Sequence, residues 1–142
     1  MLAHGETILP LLSSDKSAVI ANARILPTAD MVGARDVHHD RAAMEQAIGA
    51  RSESLIILDA DKEVREVLGN PIFANMCLLG AAWQQGHLPL SLESIEQAIN
   101  EIAFKVKDNR RAFDLGRQLA IEGAKPAVRQ TADAELSVAA LI

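Results

Sequence analysis

Four consecutive aliphatic residues, from Leu55 to Leu58 in the stretch SESLIILDA, constrain the fold of this chain more than any other feature. A run of branched apolar residues without polar alternation is typical of a strand that is buried on both faces, as in a parallel sheet. The stretch AVIANA, at residues 18–23, has the same character and reaches Asn22 near its end. The two runs predict two parallel strands that helices cover.

Most of the remaining chain shows the periodicity of amphipathic helices. A weak helical pattern covers residues 4–13. Stronger patterns predict helices at residues 41–50 with Asp40 as N-cap, at 62–69 with Asp61 as N-cap, from Asn70-Pro71 to Gln85 with an end at Gly86, and from Ser91 to about residue 120 without a break. Few strands among many helices predict an α/β fold, a partial Rossmann-like three-layer domain with few parallel strands and a helix-rich C-terminal half.

Composition excludes several classes of protein. A net charge of -5 gives no basic footprint for nucleic acid, and no apolar run approaches the roughly 18 to 20 residues that span a bilayer. The single cysteine, Cys77, permits no disulfide within the chain and no complete ligand set for a structural zinc or an iron–sulfur cluster. We expect one domain in a reducing, cytoplasmic setting, without nucleic acid or membrane as partner.

One cluster, Asp36, His38, His39 and Asp40, has the chemistry of metal ligands. Adjacent histidines point apart on a strand and lie roughly 100° apart on a helix, so they do not easily share one ion. A solvated loop is the favoured interpretation. Cys77 lies in a buried stripe, where cysteine usually behaves as a small hydrophobe. We therefore predict no catalytic residue and no metal ligand.

Two groups of residues remain as candidate sites. Asn22 ends a strand at the carboxyl edge where α/β folds place ligands, and Pro27 and Thr28 follow in the loop at that edge. The second group interrupts apolar helices with polar or small residues: Asn75, Gly80, Asn109 and Gly116. A glycine inside a helix costs about 1 kcal/mol unless another backbone approaches closely. The second group predicts a tight contact between helices or subunits, which is favoured over contact with a ligand.

The segment from residue 75 to residue 99, NMCLLGAAWQQGHLPLSLESIEQAI, resembles the C-terminal helices of the γ-type domain of 2-oxoacid:ferredoxin oxidoreductases, most of all the indolepyruvate type. Further matching positions are Val106, Asn109, Ala112-Phe113, Gly116-Arg117, the strand Val19–Asn22 and the pair Pro27-Thr28. The glycine-rich turn of G-x-G-G-x-G type with which the family domain opens is missing here. The resemblance therefore implies that residues 1–122 are the C-terminal portion of a γ-type domain, and 123–142 a tail or the start of a following segment.

The resemblance implies the oxidative decarboxylation of a 2-oxoacid to an acyl-CoA thioester, with electrons passing to ferredoxin. Thiamine diphosphate, iron–sulfur clusters and CoA are implied for the complete enzyme, none of them bound by this chain. Its implied partners are other domains or subunits of the oxidoreductase, or a second copy of the chain, and its implied role is assembly and access of substrate or CoA. Two alternatives stay open: a stand-alone α/β binding module, and a helix-rich interaction module without catalytic activity.

Overall fold

The computed structural model describes residues 8–24 and 41–123, in which two parallel strands and five α-helices form. In chain order they are β1 (Ala18–Asn22), α1 (Arg41–Ala50), β2 (Ser54–Leu58), α2 (Ala60–Leu68), α3 (Ala74–Gln84), α4 (Leu92–Glu101) and α5 (Val106–Gly123), with short 3-10 turns at Leu9–Leu11 and Pro71–Phe73. This arrangement confirms the predicted α/β class with few parallel strands and a helix-rich C-terminal half.

The sheet is covered on both faces, which explains why its strands lack polar alternation. β1 and β2 pair in parallel, with Val19 opposite Leu55 and Asn22 opposite Leu58. Leu58 packs on one face with small residues of α3 and α5. On the other face Leu55 lies against Gly49 of α1. The sheet thus lies between two helical layers, and Asn22 lies at its carboxyl edge.

The turn between β2 and α2 corrects one predicted cap. The N-cap of α2 is Asp59, whose side chain accepts a hydrogen bond from the backbone N–H of Lys62. Asp61, the predicted cap, lies inside the first turn and is buried. The reason is that β2 ends at Leu58, so the chain turns at once and the helix begins at Ala60.

The helix that Asn70 begins has a composite start. The Asn70 side chain accepts a hydrogen bond from the N–H of Ile72, and Pro71 opens a 3-10 turn that leads into α3. α3 ends at Gln84, and Gly86 has a positive φ of 79°, which glycine adopts without steric cost. The predicted start and end of this helix are thereby confirmed.

The single helix predicted from Ser91 to residue 120 is wrong. Ser91 caps α4, as its side chain accepts from the N–H of Ser94, but the chain breaks after Glu101 and α5 begins at Val106. Ala103 and Lys105, which lie in the break, both have left-handed backbones, with φ of 58° and 43°. This turn lets α4 fold back onto α5, where its buried isoleucines pack against Phe113.

Among the described elements, α3 and α5 make the most extensive contact. A Cβ added to Gly80 of α3 would lie 1.9 Å from the carbonyl oxygen of Phe113. A Cβ added to Gly116 of α5 would lie 1.7 Å from the carbonyl oxygen of Cys77. The two helices therefore cross backbone to backbone, and this contact holds α3 against the sheet.

Candidate ligand cleft

A cleft of about 510 Å³ opens beside the carboxyl end of β1. Its walls are mainly aliphatic and include Ile20 of β1, Met44 and Ile48 of α1, and Leu78 of α3. Its polar and charged lining residues are Asn22, Arg24, Arg41, Glu45, Asp61 and Asn75. Apolar walls with a few polar groups at the carboxyl edge of parallel strands are typical of ligand sites in α/β folds.

At this edge of the sheet, the polar side chains on the floor of the cleft surround Asp61. The Asn22 side-chain amide donates to Oδ2 of Asp61, and Nη1 of Arg24 donates to Oδ1 over 2.9 Å. The parallel register explains the meeting, because Asn22 lies opposite Leu58 and Asp61 follows Leu58 in the first turn of α2. The Asp61 carboxylate thus joins three parts of the chain: the end of β1, Arg24 just after it, and the first turn of α2.

The ionisation of Asp61 follows from these contacts. Burial by itself would raise the pKa of the carboxyl, since it disfavours the charged form. The hydrogen bonds from Asn22 and Arg24, together with the positive charges of Arg24 and Arg65, outweigh burial and lower the pKa below its ordinary value. Asp61 is therefore a stable anion at neutral pH and a weak base, suited to positioning its donors rather than to proton transfer.

The opposite wall carries a second ion pair. Nε of Arg41 lies 2.6 Å from a carboxylate oxygen of Glu45, one turn along α1. Arg24 and Arg41 thus each bring a guanidinium to the cleft with a carboxylate beside it. Such an arrangement binds an uncharged or weakly anionic ligand with an apolar body, because the local charges balance and most of the wall is aliphatic.

The candidate residues from the sequence fall in different places. Asn22 lies in the cleft, and Asn75 lies exposed on its rim. Pro27 and Thr28 lie outside the described residues. Gly80 and Gly116 lie at the contact between α3 and α5.

Asn109 has a different environment from the two glycines. Its side-chain amide donates to the carbonyl oxygens of Phe104 and Lys105 in the loop before α5. It therefore holds its own loop, and within the described parts of the chain its side chain makes no hydrogen bond to α3.

Arg24, Arg41 and Asp61 were missed as site residues from the sequence alone. The signal that points to Asp61 is its position three residues after the end of a strand that pairs with the strand of Asn22. Reading that signal requires the strand pairing, which one sequence does not supply. Asp36, His38, His39 and Asp40, the cluster for which a solvated loop was the favoured interpretation, lie outside the described residues.

The described residues do not fit an iron–sulfur cluster or another resident metal. In residues 8–24 and 41–123, no group of three His, Cys, Asp or Glu side chains is placed to hold a metal ion. Cys77 is fully buried, and burial, with a smaller contribution from the charge of Glu63, raises its pKa to about 11. A cluster ligand must be a thiolate, which this environment disfavours.

The fold and the cleft define a partial Rossmann-like α/β domain with an open cleft at the carboxyl edge of its strands. Comparison with protein families gives a more specific assignment: the family model for pyruvate ferredoxin/flavodoxin oxidoreductase matches residues 6–119. The chain belongs to this family, which confirms the predicted relationship to 2-oxoacid:ferredoxin oxidoreductases; the indolepyruvate type stays a prediction. Comparisons with curated proteins and with solved structures gave no match.

The helices of the described residues were also compared with the requirements of a membrane span. None of them combines the length and the apolar character that crossing a bilayer requires.

Proposed function

We propose that this chain is a part of a thiamine-diphosphate-dependent 2-oxoacid:ferredoxin oxidoreductase, of the indolepyruvate type, that carries no redox cofactor itself and acts in the cytoplasm. The observation that carries the proposal is the family match over residues 6–119, most of the 142-residue chain. The complete enzyme oxidatively decarboxylates a 2-oxoacid: CoA takes the acyl group as a thioester, CO2 is released, and two electrons pass to ferredoxin.

The chemistry of Cys77 and Asp61 supports the proposal that other parts of the enzyme hold the cofactors. Cys77 is buried with its pKa raised to about 11, so it does not serve as a cluster ligand. Asp61 is held as an anion by two donors, so it does not serve as a proton acceptor near neutral pH. Thiamine diphosphate and the clusters would then be held by other domains or subunits, and this chain would contribute to assembly.

The cleft gives the chain a second role, in the access of substrate or CoA. Its aliphatic walls suit the apolar part of a 2-oxoacid, and Asn22 and Arg24 at its floor suit the single carboxylate of such a weakly anionic ligand. We include Thr28 in this role because it follows the same strand edge in the sequence.

The test is affinity purification of the tagged full chain from its native host, with a parallel assay for activity. We expect chains with thiamine diphosphate to co-purify, and the eluate to reduce a viologen dye when both a 2-oxoacid and CoA are added. An eluate without a thiamine-dependent partner and without this activity would overturn the proposal.

The access role has a separate test within the same purification. We expect Arg24→Ala to raise the KM for the 2-oxoacid or for CoA by about tenfold, with the partners retained, since a charge-assisted hydrogen bond is lost. Unchanged KM values for both would restrict the role of the chain to assembly.

A further inference from the structure

The loop between α4 and α5 presents large apolar side chains to solvent. Ile102 is 50% exposed and Phe104 is 56% exposed. The loop is nevertheless held in one conformation, because the buried amide of Asn109 donates to the carbonyl oxygens of Phe104 and Lys105. A buried polar side chain therefore stabilises a loop whose apolar side chains face outward.

The same region carries a concentration of positive charge. Lys105, Lys107, Arg110 and Arg111 are all exposed, and within residues 8–24 and 41–123 none of them has a carboxylate within ion-pair distance. The last three lie on the solvent side of α5, opposite Phe113 and the rest of its buried stripe. They lie within five residues of helix, from Lys107 to Arg111, about 6 Å along its axis. The whole chain, in contrast, has a net charge of -5.

The stability of α5 does not account for Lys107, whereas Arg111 also donates over 3.4 Å to the carbonyl oxygen of Val67 in the last turn of α2. The N-terminal end of a helix carries a partial positive charge, so cations in its first turns are unfavourable. Lys107 lies in the first turn of α5, and Arg110 and Arg111 follow in the next. The left-handed backbones of Ala103 and Lys105 add a second unfavourable feature at the same place. Such local costs are typical of surfaces that are kept for a function.

We propose that these six residues form a docking surface for an acidic protein partner, with Phe104 and Ile102 entering an apolar recess and the four cations facing carboxylates around it. We call the set Ile102, Phe104, Lys105, Lys107, Arg110 and Arg111 the α5 docking surface. An aromatic anchor beside arginines is the composition of energetically important interface residues. Nζ of Lys105 lies 6.0 Å from the centre of the Phe104 ring, so the cations and the aromatic side chain form one surface. A basic patch that has no carboxylate partner among the described residues, on an acidic chain, identifies the partner chemistry by charge complementarity. The net negative charge of the chain disfavours association with an extended polyanion, such as nucleic acid or an anionic membrane, more than with a protein whose acidic residues are confined to one segment.

The test is site-specific photo-crosslinking of the full chain in its native host. Phe104→p-benzoylphenylalanine places the crosslinker at the centre of the surface, and Ile121→p-benzoylphenylalanine is the control, since Ile121 is 53% exposed at the other end of the same helix. We expect a protein adduct from position 104 alone, with the crosslinked peptide mapped to a segment rich in Asp and Glu. An adduct to nucleic acid or lipid, an adduct to a segment without acidic residues, or no adduct above the control overturns the proposal.

Charge reversal supplies a second arm. In the crosslinker-bearing chain, Lys107→Glu with Arg110→Glu is expected to reduce the adduct yield by about tenfold or more. Lys16→Glu, at an exposed lysine outside the surface, is expected to leave the yield unchanged. Melting temperatures establish whether the variants fold. If the charge-reversal variant does not fold, the variant with Lys107→Gln and Arg110→Gln replaces it. An adduct yield that stays unchanged in both doubly substituted variants contradicts the proposal of an acidic partner.

The result of the crosslinking test can be distinguished from the result of the test of the proposed function. An acidic partner outside the oxidoreductase would support the docking surface and count against the proposed function. A co-purifying oxidoreductase that crosslinks from position 121 instead of position 104 would do the reverse.

Discussion

Gly116 lies directly against the backbone of Cys77, so closely that a Cβ on the glycine would come within 1.7 Å of the cysteine's carbonyl oxygen. The relationship is repeated one turn away, where Gly80 meets the carbonyl of Phe113. A glycine of each helix thus lies against the backbone of the other helix. Because α3 also lines the cleft, this crossing fixes the position of one cleft wall relative to the sheet.

Gly116→Ala is expected to lower the free energy of unfolding by about 1 to 3 kcal/mol or more, and the melting temperature by about 10 °C. The physical reason is that the new methyl group meets a backbone atom, which cannot move aside as a flexible side chain does. Gly80→Ala is expected to act in the same way. Urea unfolding followed by circular dichroism measures both.

The matched control is Gly123→Ala at the end of α5, where a Cβ would meet nothing within 4 Å. Alanine favours helix over glycine by up to about 1 kcal/mol, so this variant should be neutral or slightly more stable. Equal stability of the Gly116 and Gly123 variants would show that the helices do not cross as described.

Asp61→Asn is expected to destabilise the protein at pH 7 by about 1 to 3 kcal/mol, since it removes the charged acceptor of two hydrogen bonds. The wild-type protein should also lose stability in acid. The pKa of Asp61 is lowered in the folded state, so its contribution is complete above the ordinary aspartate pKa and disappears as the pH falls through the lower folded value.

Unfolding curves at a series of pH values between about 2 and 7 separate this effect from general acid denaturation. The difference between wild type and Asp61→Asn should shrink steadily below about pH 4. Asp114→Asn is the control, because the Asp114 side chain is 62% exposed and its pair with Arg117 is screened by solvent. A difference that persists unchanged at pH 2 would contradict the assignment.

Cys77 is expected to resist thiol reagents while the protein is folded. With its pKa raised to about 11 by burial, fewer than about one molecule in a thousand carries the thiolate at pH 7.5. Labelling with a chromogenic disulfide should be very slow in buffer and complete within minutes in guanidinium chloride. Rapid labelling of the folded chain would mean that the contact around Cys77 opens readily.

Ala103→Gly is expected to raise the free energy of unfolding by about 0.5 to 1 kcal/mol, because glycine adopts the left-handed backbone at this position without a Cβ clash. The matched control is Ala98→Gly, an exposed position inside α4, where the same change should cost about 1 kcal/mol. Thermal unfolding of both compares them directly. A loss of stability in both variants would place Ala103 in a helix.

The elements that the sequence predicted well are those whose signals are local. The unbroken run from Leu55 to Leu58 indicated a covered strand, and Asn70-Pro71 with Gly86 marked both ends of one helix. The cost of a glycine inside a helix likewise drew attention to Gly80, which lies against a backbone carbonyl in the structure.

The features that the sequence did not reveal depend on contacts between distant segments. No glycine or proline marks the break between α4 and α5, where Ala103 adopts a left-handed backbone and Asn109 supplies the hydrogen bonds. Asp61 lies in the cleft because the parallel register of β1 and β2 brings Asn22 next to its carboxylate, and the sequence does not show that register. Propensity and periodicity carry no information about either contact.

Depletion and add-back in native extract test the central claim, that this chain is a working part of a 2-oxoacid oxidoreductase, most directly. In a strain that lacks the chain, we expect CoA-dependent oxidation of indolepyruvate and related 2-oxoacids to fall to background. Purified full chain added to that extract should restore it, whereas the Gly116→Ala variant should restore less. Full activity without the chain would contradict the account.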